Sequence, residues 1–320
     1  MISIVIPNYN GNKYLKECLE AVFKQTYREY EILIIDNAST DDSYEWVKQY
    51  ESIIFKRLDK NYGFSRAVNE GIKMAKGEFV LLLNNDTIME EDFLQHLLDE
   101  MKNHPKVFSI CSKMIQYHKP HLIDDAGDEY TLLGWTYKCG DNEPIECYTQ
   151  SREVFSSCAG AALYRKAIFD EIGYFDESFF AYMEDVDISY RARIYGYQNR
   201  YCADAKIYHI GSATSGSRYN AFKVKLAARN NVYVPYKNMP LLQLIFNMPF
   251  LLVGYLIKYL FFVRKGLGNA YKEGFLEGIK GIRNIQKVPF KWKHLIDYIH
   301  IECLMIKNVF LFLGNKLRRR

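Results

Sequence analysis

Four strand-like runs near the start of the chain each end in a polar cluster, and this pattern limits the chain to few folds. The runs are Ile2–Ile6, Glu31–Ile35, Ile53–Leu58 and Phe79–Leu83. Their carboxyl ends read Pro7-Asn8-Tyr9-Asn10, Asp36-Asn37-Ala38-Ser39, Asp59-Lys60-Asn61-Tyr62-Gly63 and Asn84-Asn85-Asp86. Between them apolar residues recur at helical period, as in Tyr14, Leu15, Cys18, Leu19, Val22 and Phe23. Strand–helix alternation with near-continuous apolar strands predicts an α/β fold with a mostly parallel sheet covered on both faces. In open sheets of this kind the ligand crevice lies beyond the carboxyl ends of the strands.

The charge is unevenly placed. Residues 1–215 hold 23 Lys+Arg against 34 Asp+Glu, whereas residues 216–320 hold 19 against 4. A nucleic-acid-binding protein would carry its basic surface on the folded head, so an acidic head argues against that class. The split predicts a soluble head with a tail drawn to an anionic surface. Seven cysteines without a C-x-x-C pair suit reduced thiols in a cytosolic setting. The short opening run that stops at Pro7 is a first strand rather than a leader, so the expected compartment is cytoplasmic. Neither G-x-x-x-x-G-K-[ST], nor a G-x-G-x-x-G after a strand, nor G-x-S-x-G occurs.

Four places could carry chemistry. Asp86, at an oxygen-rich strand end, suits a hard divalent cation that shares its shell with phosphate oxygens, although the same residues also suit an ordinary turn. Asp36 can accept from a base N–H or a ribose hydroxyl; alternatively Ser39 or Thr40 caps the next helix and Asp36 is a turn residue. Glu184-Asp185-Val186-Asp187 places three carboxylates at a capped helix start, where the helix dipole favours acids whatever the function. The aromatic stretch before it, Gly173 to Met183, would exclude water and make one carboxylate an effective base. His209 ends a further strand, as a packed residue or a ligand. The rest of the middle, from Val107 to Ala213, reads as irregular.

In order and spacing these motifs resemble glycosyltransferase family 2, of the GT-A fold, and most closely its rhamnosyltransferase-like bacterial branch. Ile4-Val5-Ile6-Pro7-Asn8-Tyr9-Asn10-Gly11 is similar to the family's opening strand and nucleotide loop. Ile34-Ile35-Asp36-Asn37 resembles its base- and ribose-binding strand end, and Asn61-Tyr62-Gly63-Phe64-Ser65-Arg66-Ala67-Val68-Asn69 its N-x-G-F-x-x-A-x-N helix start. Leu83-Asn84-Asn85-Asp86 takes the place of the metal-binding D-x-D, with Asn84 where the first acid stands. Gly173-Tyr174-Phe175-Asp176-Glu177, Phe180 and Glu184-Asp185-Val186-Asp187 resemble the acceptor-side block, and Tyr208-His209-Ile210-Gly211-Ser212 the region of the metal-shell histidine.

The resemblance implies an inverting transfer of a sugar from dTDP-rhamnose or a UDP-sugar to a hydroxyl of a lipid-linked or polysaccharide acceptor. Asp185 is the implied base, with Glu184 its rival, and Asp86, His209 and Asn84 hold Mg2+ or Mn2+. Pro7, Asn8, Tyr9, Asp36, Asn37, Asn61, Gly63, Phe64, Arg66 and Asn85 would line the nucleotide site. Two other classes compete with this reading. A sugar nucleotidyltransferase would open with a Gly-rich phosphate loop bearing Lys or Arg, which Pro7–Gly11 is not. A catalytically weakened scaffold of the same fold gains some support from Asn84.

The expected organisation is a transferase domain over residues 1–235, with a nucleotide-sugar half to about 105 and an acceptor half from 106, followed by a helical tail over 236–320. Leu241–Val263 has one charge, Lys258, and is long enough for a ~30 Å hydrocarbon core. A crossing there would export 13 Lys+Arg against 4 Asp+Glu, against the positive-inside rule. In Leu295–Leu313 the polar Asp297, His300, Lys307 and Asn308 fall on one arc of about 100°, with only Glu302 off it. The tail is therefore expected to lie on, or re-enter, the cytoplasmic face of the inner membrane, with basic residues including Arg318-Arg319-Arg320 on anionic headgroups. The alternatives are helices packed on the head or a contact in an oligomer.

Overall fold

The structure, a computed structural model, describes residues 1–211 and 219–318, apart from the side chains of Tyr44 and 316–318. Ser212 of the motif around His209, and Arg319-Arg320, lie outside the described residues. The first half runs β1 (Ile2–Asn8), α1 (Asn12–Phe23), β2 (Tyr30–Asp36), α2 (Ser43–Val47), β3 (Ile53–Arg57), α3 (Phe64–Met74), β4 (Phe79–Leu83), β5 (Thr87–Met89) and α4 (Phe93–Asn103). The middle runs β6 (Val107–Gln116), β7 (Lys119–Asp125), β8 (Asp128–Tyr130), β9 (Thr136–Lys138), β10 (Arg152–Val154), β11 (Ala161–Arg165), α5 (Phe169–Ile172), α6 (Glu184–Ile194) and β12 (Gln198–His209). Four helices close the described chain: α7 (Ala221–Asn238), α8 (Leu241–Arg264), α9 (Gly268–Gly281) and α10 (Leu295–Arg318).

The four expected strands all form, and the sheet explains why they are apolar without a break. Successive strand residues face opposite sides. Ile2, Ile4 and Ile6 of β1 join one core with α1 and α4, whereas Val5 joins a second core with α3 and α6. In β4, Phe79, Leu81 and Leu83 divide from Val80 and Leu82 in the same way. Strands β3-β2-β1-β4 are mutually parallel, so their polar ends line up on one edge. Helix α3 lies close on β1 because residue 71 is glycine; a Cβ there would collide with Val5.

The middle is not irregular, as the sequence suggested. The sheet continues past β4 through β11, β6, β12 and β10, with β11 antiparallel to both β4 and β6 and β12 parallel to β6. Of its strands only the one ending at His209 is expected from the sequence; in β6 and β12 polar residues inside the core interrupt the apolar pattern. Ser109 donates to Asn199, and the two serines Ser109 and Ser157 are bonded 2.8 Å apart.

A third core binds the tail to the head. Tyr130 and Leu132 of the β8–β9 hairpin and Val186, Tyr190 and Ile194 of α6 meet Tyr298, Ile301 and Met305 of α10. The chain breaks at Met239–Pro240, between α7 and α8, a few residues beyond the expected 235/236 division. In α8 only Asn247, Leu251 and Gly254 are buried, and residues such as Phe246, Leu252 and Leu256 are exposed. The polar arc expected on α10 does not hold together: Asn308 is buried, donating to Glu129 and to the Tyr130 carbonyl.

Helices α6 and α7 are joined by a fully buried carboxylate. Asp187 Oδ2 accepts from Arg191 Nη2 at 2.9 Å and Lys237 Nζ at 3.0 Å, while Oδ1 accepts from Asn238 at 2.8 Å. Burial alone would raise its pKa, but the two cations hold it below the usual carboxylate range. Its contribution to stability is therefore present above about pH 4 and lost as the pH falls through the depressed value. Asp187→Ala leaves buried Arg191 without a carboxylate and Lys237 with Asp176 alone, and we expect it to cost about 3–5 kcal/mol, read from the urea midpoint at pH 7.

Candidate active site

The first part of the candidate site is built where β1, β2 and β4 end side by side. Asn8 is paired in register with Asp36 and is buried between its two neighbouring strands. Its amide nitrogen donates to Asp36 Oδ1 (2.8 Å) and lies within 3.2 Å of Ser39 and Ser43 Oγ. Its Oδ1 accepts from Asn85 Nδ2 at 2.8 Å. Asp36, with no exposed surface, also accepts from Ser39 N and Oγ, and Arg57 stands 3.5 Å away. Ser39 thus closes a turn on Asp36 and caps no helix; the helix that follows, α2, has Asp42 at its N-cap without a side-chain bond.

Asn37 donates to the Gly63 carbonyl and accepts from Tyr62 N, which ties the second strand end to the Asn61–Phe64 loop. Asn61 accepts from Gly63 N at 2.9 Å. Gly63 has φ +84, and a Cβ there would strike Phe180. Asn8, Asp36, Asn37 and Asn85 are therefore the frame of the crevice, while Pro7, Tyr9, Asn61 and Phe64 are part-exposed around it. Arg66 is paired with Glu177 at 2.9 Å and Glu70 at 3.1 Å, away from the frame's bonds.

Two of the three expected metal residues come together. His209 ends β12 opposite Thr87 of β5, and Ile210 N donates to the Asp86 carbonyl. Nε2 of His209 lies 3.5 Å from Asp86 Oδ2, and Nδ1 lies 2.7 Å from Asp124 Oδ2. Burial would lower the histidine's pKa, but the neighbouring Asp124 and Asp86 carboxylates raise it to about 9. Two ligand atoms 3.5 Å apart can share one small cation at bond lengths of about 2.0–2.2 Å. One imidazole and one carboxylate is a donor set for Mn2+ or Mg2+ with phosphate oxygens and water filling the shell. Asn84 is turned towards Gly160 instead. Among the described residues no cluster of three His, Cys, Asp or Glu forms a closed metal site.

The acid-bearing loop is strained. Phe180, Tyr182 and Met183 all have positive φ (63, 70 and 69), a conformation of order 1–3 kcal/mol each for a non-glycine. Asn230 of α7 holds them: its amide nitrogen lies 2.9, 2.9 and 2.7 Å from the carbonyls of Phe179, Ala181 and Tyr182. Arg229 adds bonds to the Ser178 and Phe179 carbonyls. Helix α6 then starts from Met183 with no side-chain cap, contrary to the capped start expected.

Its three acids have three environments. Glu184 is buried, Oε2 has no partner among the described residues, and burial with the neighbouring Asp185 charge pushes its pKa well up. Asp185 is part-exposed and accepts from Val186 N at 2.8 Å; burial raises it to about 6, against the pull of the Val186 and Ala159 N–H groups. Asp187 belongs to the ion network between α6 and α7. Ala159 leads into Gly160, whose carbonyl accepts from Asn84 N, so the Asp185 side of the site adjoins the Asp86 turn. Sequence reading missed Asn230, Asp124 and Lys138; the one signal for Asn230 was a run of polar residues, Arg229-Asn230-Asn231, inside a helical segment.

The architecture is the GT-A fold. It superposes on GalNAc-T7 with UDP, GalNAc and Mn2+ at a TM-score of 0.61 and 18% identity, over 73% of this chain and 47% of that one. It also superposes on Staphylococcus aureus TarS 1–349 in complex with UDP-GlcNAc at 0.50 and 20%, over 91% and 93%. The model of the family "Glycosyl transferase family 2" matches residues 3–173, and the chain belongs to that family. A poly-β-1,6-N-acetyl-D-glucosamine synthase of Staphylococcus epidermidis is 26% identical over 207 residues, 62% of this chain and 47% of that protein. The chain thus spans about half the length of that relative.

Asn230→Ala leaves the Ala181 and Tyr182 carbonyls of the strained loop without their side-chain donor. We expect a loss of about 1–3 kcal/mol in denaturant unfolding. We also expect faster proteolysis at residues 179–183, read by mass spectrometry of limited digests.

Proposed function

We propose that the protein is an inverting glycosyltransferase that moves a sugar from a nucleoside-diphosphate donor to a hydroxyl of a lipid-linked or polysaccharide acceptor in cell-surface glycan synthesis. The observation that carries this reading is that two features adjoin one another. Asp185, with its pKa near 6, stands on the side that adjoins the Asp86 turn, and Asp86 and His209 stand as ligands for a divalent cation. Such a cation would supply positive charge to a departing nucleoside diphosphate.

The chain's own residues do the rest. Asp185 takes the proton from the acceptor hydroxyl, whose oxygen attacks the anomeric carbon as the bond from that carbon to the diphosphate oxygen breaks. A single in-line displacement inverts the anomeric centre. Tyr9, Asn61 and Phe64 offer the part-exposed surface for the nucleotide, on the frame that Asn8, Asp36, Asn37 and Asn85 hold. Asp185 is favoured over Glu184 because Asp185 is part-exposed, within reach of an acceptor, whereas Glu184 is buried. The names of the relatives favour UDP-N-acetylglucosamine as the first donor to test, beside dTDP-rhamnose and other UDP-hexoses.

The reading places residues 236–320 on the cytoplasmic face of the inner membrane, as a part distinct from a transferase unit over 1–235. Helix α8 has 24 residues, and an 18-residue stretch of it has a mean hydropathy of 1.7, long and apolar enough to cross a bilayer. Its midpoint argues for lying on the surface instead. Trp135 Nε1 donates to the Gly254 carbonyl at 3.0 Å, and Tyr255 donates to the Asn231 carbonyl at 3.2 Å, so the head covers the middle of the helix. Exposed Phe246, Leu252 and Leu256 on α8 and Ile296, Ile299 and Phe310 on α10 form the apolar contact, with Arg264, Lys265, Lys291 and Lys293 exposed beside it.

Release of nucleoside diphosphate from the donor panel with Mn2+ and membrane extract, with NMR of the product's anomeric centre, tests the activity. A retained anomer, or no transfer from any donor, overturns the reading. Asp185→Asn should lower transfer by at least ~100-fold. An acid with a raised pKa opposes folding when ionised, so the same variant should not lower the melting temperature. In the wild type, kcat/KM should fall as the pH drops below about 6, as the base becomes protonated. Phe246→Asp with Leu256→Asp should weaken co-sedimentation with phosphatidylglycerol vesicles by more than ~10-fold; unchanged binding removes α8 as the contact.

A further inference from the structure

We propose that Asp124 is a positioning residue of the cation site, fixing the His209 ring so that Nε2, the nitrogen facing Asp86, is the one offered to a divalent cation. The inference rests on the reading of Asp86 and His209 as ligands given above.

The two nitrogens of an imidazole are not equivalent. The one that donates to a carboxylate carries the proton, which leaves the lone pair on the other. Nδ1 of His209 lies 2.7 Å from Asp124 Oδ2, while Nε2 lies 3.5 Å from Asp86 Oδ2, too long for a good hydrogen bond and suited to a shared ligand. The ring is largely buried, with the side chain 16% exposed, so it does not turn freely.

Asp124 is itself held. It lies at the end of β7, which pairs with β6, and Lys138 of β9 stands 3.3 Å from its Oδ2. Lys138 also stands 3.6 Å from Asp125 Oδ2, and Gly127 N donates to Asp125 Oδ1 at 2.7 Å. The orienting carboxylate therefore comes from a different strand from either proposed ligand and is fixed from its far side by a cation. Asp124 lies in none of the motifs that single out Asp86 and His209. Its position beside the ring comes from the pairing of β6 with both β7 and β12.

Mn2+ binding to the full chain, followed by the electron paramagnetic resonance of the free ion, tests the assignment without recourse to activity. Asp124→Ala should weaken Mn2+ by about 10–100-fold. Asp124→Asn keeps an oxygen that can accept from Nδ1–H, and should restore affinity to within a few-fold of wild type. Wild-type Mn2+ affinity in Asp124→Ala overturns the proposal. Asp86→Ala separates the two readings. If it loses Mn2+ while Asp124→Ala keeps it, only the role of Asp124 falls; if it binds Mn2+ like wild type, the cation site and this inference fall together. A second measurement needs no variant: 15N NMR of the histidines with saturating Mg2+ should show His209 protonated at Nδ1 and bare at Nε2. The opposite tautomer overturns the proposal.

Discussion

The fully buried Asp187 is the constraint on which the geometry of the site depends. A carboxylate with no exposed surface must be matched by charge and hydrogen bonds, and here the match comes from Arg191 one turn along α6 and from Lys237 and Asn238 at the end of α7. Once α7 is fixed against α6, Arg229 and Asn230 on α7 fall over the loop at Ser178–Tyr182 and hold its carbonyls. That loop sets the unusual entry into α6, and the entry sets where Asp185 stands. The tail is drawn in at the same place, because Val288 N donates to the Lys237 carbonyl and Lys287 to those of Tyr236 and Met239.

Much of the first half of the chain was legible because local pattern and tertiary structure agree there. Apolar runs alternate between two cores, helices carry one apolar face, and polar residues gather at the strand ends. The sequence could not say that those polar residues bond one another. Asn8 lies on β1, which has β2 on one side and β4 on the other, so its amide meets Asp36 and Asn85 from opposite flanks. Only the sheet order reveals that these residues frame the crevice, with their polar groups already engaged.

The acid cluster shows the same limit in another form. Glu184, Asp185 and Asp187 are indistinguishable as a run of carboxylates at a helix start. Their separation into a buried acid, a part-exposed acid and a member of an ion network depends on Lys237, 50 residues further on. The second half of the sheet was missed for a related reason. Where β6 lies against β12, Ser109 and Asn199 satisfy one another inside the core, with Ser157 beside them, which erases the apolar signature of a buried strand.

The split between an acidic head and a basic tail suggests two separable parts, but the β8–β9 hairpin makes them mechanically one. At its tip Trp135 bonds α8, and at its base Asn308 of α10 bonds Glu129 and Tyr130. The same hairpin carries Lys138, which pairs with Asp124 and so reaches the ring of His209. Tail helices, hairpin and proposed cation site therefore share one set of fixed contacts. On the proposed reading, an enzyme whose acceptor is held in a membrane gains from this arrangement. The distance from the bilayer surface to the reacting atoms is set by packing, so a lipid-linked hydroxyl is presented at one height, and positioning of that kind can supply several kcal/mol of a transfer reaction's barrier.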